Sequence, residues 1–343
     1  MTKFGYTMMT EQSPPDQLVI DLRAAEAAGF DFSVISDHYQ PWLSEQGHSG
    51  YAWSILGAAA QATERIGLMT FVTCPIMRYH PAVVAQKAAT IQILSGNRFR
   101  LGLGAGENLN EHVVGERWPA VGVRHEMLSE AVDIIARLLH GNGNGDGGED
   151  RGGDDRDDDD DGDGRVNYRG RHFSVEQAKL WDPPRERLPI GIAVSGQGSC
   201  RLAGRKADLM VGVEPKPELV EMFDAAGGTG KPRVGQVPLA YDTDRDAAIA
   251  RAHEQFRWFG LGWKVNADLP NPESFDSATQ FVTRDDVAEA LGCGADVDEH
   301  VEKIKPFIEA GYDEIALVQI GADQQEPFIA WAERELLPAL RSL

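Results

Sequence analysis

Two short stretches hold side chains able to move a proton beside a flat ligand: SDHYQPW, residues 36–42, and LGLGAGENLNEH, residues 101–112. His38 titrates near neutral pH, so it can take or give a proton, and Asp37 beside it can fix the ring tautomer or bind a ligand. The competing reading of that pair is a buried hydrogen-bonded couple with no catalytic part. In the second stretch the glycines suggest a phosphate loop, but the spacing denies it. A dinucleotide fingerprint needs glycine at 107, where Glu107 stands, and Gly106 falls one residue early. No Gly-Lys-Ser/Thr follows. The glycines are read instead as keeping a strand end low, so that a flat ligand lies against backbone with Glu107 and Asn110 pointing at it. A plain strand–helix turn, with Asn110 capping the helix, is the alternative. The run SGQGS, Ser195–Ser199, opens a helix and offers N–H groups and hydroxyls to a phosphate, with Ser195, Gly196, Gly198 and Ser199 lining it. There is no HxH, no HExxH and no Cys/His cluster, so no metal is expected. Cys74 reads as a packing residue.

These residues must be positioned by regular elements, and the pattern alternates strand and helix. Strands are expected at 4–10, 31–38, 66–73, 99–106, 189–194, 208–213, 233–241 and 314–320. Helices are expected at 15–28, 51–64, 81–94, 123–139, 197–206, 217–225, 244–258, 284–291, 297–309 and 324–341, with a small hairpin at 166–175. Pro238 argues against a central place for the seventh strand. AAGFDFSVIS, AGRKADLMVG and EAGYDEIALV repeat one theme: helix end, glycine, aspartate, buried strand. Eight strand–helix units in 343 residues predict an α/β fold, a (β/α)8 TIM barrel with insertions, as one domain over residues 1–343. An open doubly wound sheet is the second choice.

In such a barrel chemistry collects at the C-terminal strand ends. Those ends supply Met9, Thr10 and Glu11; Asp37, His38, Gln40 and Trp42; Thr73, Cys74, Arg78 and Tyr79; Glu107 and Asn110; Ser195 to Ser199; and Glu214 and Lys216. The opposite ends carry ordinary turn residues.

Composition narrows the class. The formal net charge is −21, and only 9 of the 33 basic residues are lysine. Residues 141–165 hold 11 acids and 3 arginines among many glycines, so an acidic disordered loop insertion is expected there. An acidic, lysine-poor chain suits very high salt, where screening removes self-repulsion, so a halophilic source is expected. Nucleic-acid binding is not expected, because no basic stripe could neutralise phosphates. No apolar run approaches a membrane span, and the N-terminus lacks a signal-peptide core, so a cytoplasmic protein is expected.

ISDHYQPW, VTCPIMRYHPAVVAQKAAT, LGLGAGENLNEH with the following RWP, and GIAVSGQG together resemble the luciferase-like family of flavin and deazaflavin enzymes. Within it they are most similar to the branch typified by glucose-6-phosphate dehydrogenases that use coenzyme F420. The likeness covers nearly the whole chain except 141–165. It implies a deazaflavin in the barrel mouth and hydride transfer between its C5 and an alcohol, a sugar or the corresponding carbonyl. It implies that His38 handles the substrate hydroxyl proton, that Glu107 is the acid beside the ring's N1, that Trp42 shapes the site, and that Glu11 is a second carboxylate. On the cofactor side it places Asp37, Asn110, Ala105, Gly106, Ser195, Gly196, Gly198, Ser199, Cys74, and Phe71–Val72 as a non-proline cis peptide backing the ring. Of three basic residues that grip a substrate phosphate in that branch, Lys216 matches one. The second falls near Asn266, with Lys264 as a stand-in, and the third at Ala290, which makes a phosphosugar doubtful. The expected partner is a small alcohol or carbonyl, and the expected assembly a homodimer. An FMN-dependent monooxygenase of the same superfamily and a cofactor-binding protein without turnover stay open.

Overall fold

The computed structural model describes residues 2–141 and 164–343. In chain order the strands are β1 (Lys3–Met8), β2 (Phe32–Ile35), β3 (Gly67–Thr70), β4 (Phe99–Leu103), β5 (Val166–Arg169), β6 (Ser174–Ala178), β7 (Ile190–Ala193), β8 (Leu209–Gly212), β9 (Arg233–Ala240), β10 (Gly292–Cys293) and β11 (Glu314–Gln319). Eight of them pair in parallel in the order β1-β2-β3-β4-β7-β8-β9-β11, and β11 returns to β1 through Lys3↔Glu314. The sheet is therefore closed, with helices outside it, as a (β/α)8 barrel requires. β5 and β6 form the antiparallel hairpin, separate from the barrel. The two-residue β10 extends the ladder at the end of β9.

The repeated aspartate has a definite task. Asp31, Asp208 and Asp313 each accept a bond from a neighbouring strand's backbone, at Phe4, Ile190 and Arg233, all at 2.9 Å. Each aspartate's own N–H returns a bond to the same residue's carbonyl. Both unpaired groups at the start of a strand are thus satisfied where helix turns into strand.

Inside the barrel Phe32, Val34, Met69, Leu209, Val211, Val234 and Ala316 form one packed cluster, and Phe71, Val72 and Ala193 pack against it. Alternate residues of each strand face outward onto the helices, in a larger cluster that includes Phe4, Leu22, Leu101 and Ile315. Pro238 does lie in an interior strand. It sits beyond Gly235, where the ladder with β8 ends, so its missing N–H leaves no partner there unbonded. The expected last helix runs through Gln325–Trp331, a wider π turn over Ala332–Leu336, and Leu337–Arg341, with helical dihedrals at both junctions. Pro338, which cannot donate to the preceding turn, accompanies the wide turn. The acidic segment 141–165 lies outside the described residues but for its ends. No helix among the described residues is long and apolar enough to cross a membrane.

One buried acid opposes folding at neutral pH. Asp21 lies on the buried face of the first helix, Pro15–Ala27, with one oxygen bonded to Gln17 at 2.8 Å and the other without a partner among the described residues. Burial pushes its pKa up to about 6, Gln17 opposes that, and the charge of Glu326 adds to it. A carboxyl that binds its proton more tightly folded than unfolded loses stability as pH rises from about 4 to about 6. Asp21→Asn is expected to raise the melting temperature by about 2–4 °C at about pH 8, equivalent to about 1–2 kcal/mol, and to leave it unchanged near pH 4. Parallel thermal melts at the two pH values check this.

Candidate active site

The site is built on the ends of β1, β2 and β4. After β2 the strand periodicity points Ser36 toward the barrel interior, and the chain then turns so that His38 lies over the mouth. The His38 ring is held from both sides. Its Nδ1 is 3.1 Å from the Gln40 carbonyl oxygen and 3.3 Å from Glu11 Oε1. Its Nε2 is 3.0 Å from Glu107 Oε1. Glu11 accepts bonds on its other oxygen from the hydroxyls of Ser36 and Thr10. Glu107 also accepts from Asn110 Nδ2 at 2.8 Å. Asn110 in turn accepts the Tyr39 N–H at 2.7 Å and the Gln40 N–H at 3.2 Å. Asn110 therefore does not cap its own short helix, Asn108–Glu111. It ties that helix to the loop carrying His38.

Burial disfavours a charged imidazole, but the charge of Glu11 and the bond and charge of Glu107 outweigh it and raise His38 to about 9. Burial works against the charged form of Glu107 too, yet His38 and Asn110 hold it below the usual carboxylate range. Burial and the charges of Glu111 and Glu107 push Cys74 well up, so it is a thiol and no nucleophile.

An apolar wall closes one side. Trp42 lies 4.9 Å from the His38 ring, stacks on Trp258 at 4.1 Å, and meets Phe275 edge-on at 5.2 Å. Trp258 and Phe275 come from a far later segment. Arg257 pins that segment, its Nη2 at 3.1 Å from Glu45 and 2.6 Å from Asp276. On the other side Asp37 is only 2% exposed. Its carboxylate accepts from Trp53 at 3.1 Å, Thr73 at 2.7 Å and Tyr79 at 3.1 Å. Arg78 donates to the Asp37 carbonyl at 2.7 Å and to Glu111 at 2.9 Å. Asp37 and Arg78 thus form the frame that fixes the turn into His38.

The glycines in and just after β4 make room for protein, not for a ligand. A Cβ at Gly102 would overlap the Thr70 carbonyl, one at Gly104 would overlap Val72, and one at Gly106 would overlap the Cys74 sulfur. Gly106 also has φ +73, which an L side chain rarely adopts. The segment after β3 lies against β4 in consequence, and within it the Phe71–Val72 peptide is cis. Val72, Ala105 and Ala193 remain partly open at the mouth, with Ser36 and Gln236 among them. Shortly after Ala193 comes the helix Gln197–Lys206. Ser199 Oγ accepts the N–H of Ser195 at 3.0 Å and of Gly196 at 3.3 Å, and the amides of Gln197 and Gly198 have no acceptor within the helix.

Residues 1–314 match the family of luciferase-like monooxygenases. The chain belongs to that family. It is 32% identical, over 99% of its length and 97% of the relative's, to F420-dependent glucose-6-phosphate dehydrogenase of Microbacterium testaceum. It is 31% identical over the full length of both chains to the enzyme of the same name from Amycolatopsis mediterranei. Among solved structures it is similar to an F420-dependent secondary alcohol dehydrogenase in complex with an F420-acetone adduct. The TM-score is 0.85, with 28% identity over 99% of each chain. It also shares its fold with the F420-dependent tetrahydromethanopterin reductase of Methanopyrus kandleri, TM-score 0.75 at 20% identity.

As a luciferase-like barrel the chain gathers Glu11, His38, Trp42, Glu107 and Asn110 into one contact network. Ala105, Gly106, Cys74 and Phe71–Val72 lie beside it on neighbouring strand ends, and Ser195 to Ser199 open the helix after β7. The substrate-side cations differ. Lys216 is 56% exposed and bound to Glu214 at 2.6 Å. Lys264 is exposed on the short helix Trp263–Asn266, Asn266 is buried, and Ala290 is exposed. Four residues were not singled out from the sequence: Ser36, Gln236, Trp258 and His125, which abuts Gly198. Ser36 lies inside the quoted SDHYQPW stretch, and strand periodicity alone would have turned it inward. The other three carry no local mark of their place.

Proposed function

We propose that the chain is an F420-dependent oxidoreductase that transfers a hydride between C5 of the deazaflavin and the carbon of an alcohol or sugar, or of the corresponding carbonyl. The observation that carries this reading is His38 lodged between Glu11 and Glu107 at the rim of an apolar platform. Relatives over the whole chain named for F420-dependent dehydrogenation support it. The residues present suit the coenzyme. Val72, Ala105 and Ala193 offer a flat apolar floor backed by Gly106 and Cys74, and Asp37 and Asn110, their side chains already engaged by protein groups, brace its rim. Ser195, Gly196, Gly198 and Ser199 hold the phosphate tail at a helix N-terminus. Bound there, the coenzyme supplies or accepts the hydride.

The chain's own residues do the rest. His38 exchanges a proton with the substrate oxygen. Glu11, fixed by two hydroxyls, orients the imidazole. Glu107, held in its charged form by His38 and Asn110, faces the ring margin. Trp42 and Trp258 exclude water from the reacting carbon and favour an apolar substituent. A phosphosugar is disfavoured, because Lys216 is already paired with Glu214 and Asn266 and Ala290 offer no charge. The substrate is therefore an uncharged alcohol or carbonyl compound.

The test is titration with F420 and with FMN, followed by absorbance turnover with alcohols, sugars, ketones and aldehydes in molar salt. F420 is expected to bind and to turn over with an uncharged alcohol–carbonyl pair. FMN binding with oxygen consumption would replace this reading by a monooxygenase. Tight F420 binding with no turnover on any candidate would replace it by a carrier.

A further inference from the structure

Lys87, on the helix Pro81–Leu94, keeps its ammonium group among aromatic rings and not beside an acid. Its Nζ lies 3.2 Å from the ring centre of Tyr79, 4.7 Å from that of Trp53 and 5.6 Å from that of Tyr51. It donates to the Tyr51 hydroxyl at 3.2 Å. Among the described residues no carboxylate lies within ion-pair distance of it. Lys3, Lys206, Lys216 and Lys305 differ, each with a carboxylate oxygen at 3.7 Å or less. Asp37, the acid whose charge reaches Lys87, is already engaged by Trp53, Thr73, Tyr79 and Arg78. The Arg78 guanidinium also lies over the Tyr79 ring, at 5.0 Å, so two cations draw on one aromatic ring.

Two effects oppose each other in this cage. Ring faces attract an ammonium, whereas burial without an anion disfavours it. Burial pulls Lys87 down to about 8 against the charge of Asp37, and Arg78 adds to the fall. A neutral amine carries a lone pair that an ammonium lacks, and that pair makes lysine a nucleophile. The cage is open to reagents, because Lys87 is partly exposed and Tyr51 is 48% exposed.

We propose that Lys87 is a covalent modification site, an amine that accepts small acyl groups from activated donors, either acyl phosphates or acyl thioesters. The Nζ lone pair attacks the acyl carbon and an N–C bond forms. The bond from that carbon to the phosphate oxygen or the thiol sulfur breaks, the leaving group departs with the electron pair, and the surplus proton on nitrogen goes to solvent. The product is a neutral amide. The 3.2 Å gap over Tyr79 is too narrow for an acyl group, so the modified side chain moves outward past Tyr51. Tyr79 then loses a cation from its ring while its hydroxyl still holds Asp37, so the turn that carries His38 feels the change.

The test is limited acetylation of the full chain, with acetyl phosphate in one arm and an acetyl thioester in the other. Peptide mass spectrometry follows each of the 9 lysines as pH is varied. At about pH 7.5 Lys87 is expected to react about tenfold faster than the exposed Lys264, because its larger neutral fraction outweighs its weaker basicity. Its rate is expected to level off once pH passes about 8, whereas that of Lys264 climbs on to about pH 10. The arm that labels Lys87 identifies the leaving group. Tyr51→Ala, which opens the cage to water, is expected to raise the midpoint of Lys87 by about one unit, with a thermal melt to confirm the fold. Lys87 reacting no faster than Lys264 in both arms overturns the proposal. So does a Lys87 rate still climbing at about pH 10, since the rings would then be holding the ammonium.

Discussion

Replacing His38 by asparagine lowers kcat/KM for the alcohol–carbonyl pair by about 10²–10⁴-fold, while F420 affinity stays within about threefold. The loss corresponds to about 3–5 kcal/mol of transition-state stabilisation. It follows from the proton inventory: the substrate oxygen must gain or lose a proton as the hydride moves, and His38 is the titratable group held between Glu11 and Glu107. Affinity is spared because the proposed floor and phosphate seat lie on other strand ends. The variant also leaves two buried carboxylates without their cation, so one of them takes up a proton in compensation. Steady-state kinetics beside fluorescence titration checks the split. A parallel loss of binding would place His38 under the coenzyme and not beside the substrate.

The second large effect is a pH profile. Alcohol oxidation rises about tenfold per pH unit from about 7 to about 9, nearly 100-fold in total, whereas carbonyl reduction is level over that range and declines above it. The sign comes from which form each direction uses. Oxidation needs His38 neutral, as the base on the substrate hydroxyl, and below a pKa near 9 that form grows tenfold per unit. Reduction needs the protonated form, which is saturated until pH passes the pKa. Folding follows the same proton. A histidine whose pKa is raised by folding adds stability that is complete below its unfolded value and is lost as pH rises through about 9. Initial rates in both directions across pH 6–10 provide the measurement. A level oxidation profile would show that His38 enters the cycle neutral.

Lys216 shows where resemblance and coordinates diverge in emphasis. Its identity matches a phosphate-gripping position, but its ammonium is turned onto Glu214 in a strongly acidic chain. A sequence position states which charge is present, and not which neighbour has already claimed it. The β4 glycines make the same point. Their number shows that something approaches the strand closely, while the structure names the visitor as the Thr70–Cys74 segment.

The strand and helix order was legible because it is written locally. Buried runs bounded by glycine and aspartate, repeated with Asp31, Asp208 and Asp313, specify strand starts whose hydrogen bonds are made within one βα unit and its neighbour. SDHYQPW and GAGENLNEH were equally local, so their residues could be nominated. What only the tertiary structure decided is that Glu11 and Glu107 close on opposite nitrogens of one imidazole, and that Trp258 completes the wall begun by Trp42. Closing the barrel brings β1, β2 and β4 to one rim, and Arg257, buried but paired with the exposed Glu45 and Asp276, holds a distant segment over it. Such contacts depend on burial, and burial removes the water that would otherwise screen one charge from the next. The proton state of the site is therefore a property of the folded barrel and not of any stretch of its chain.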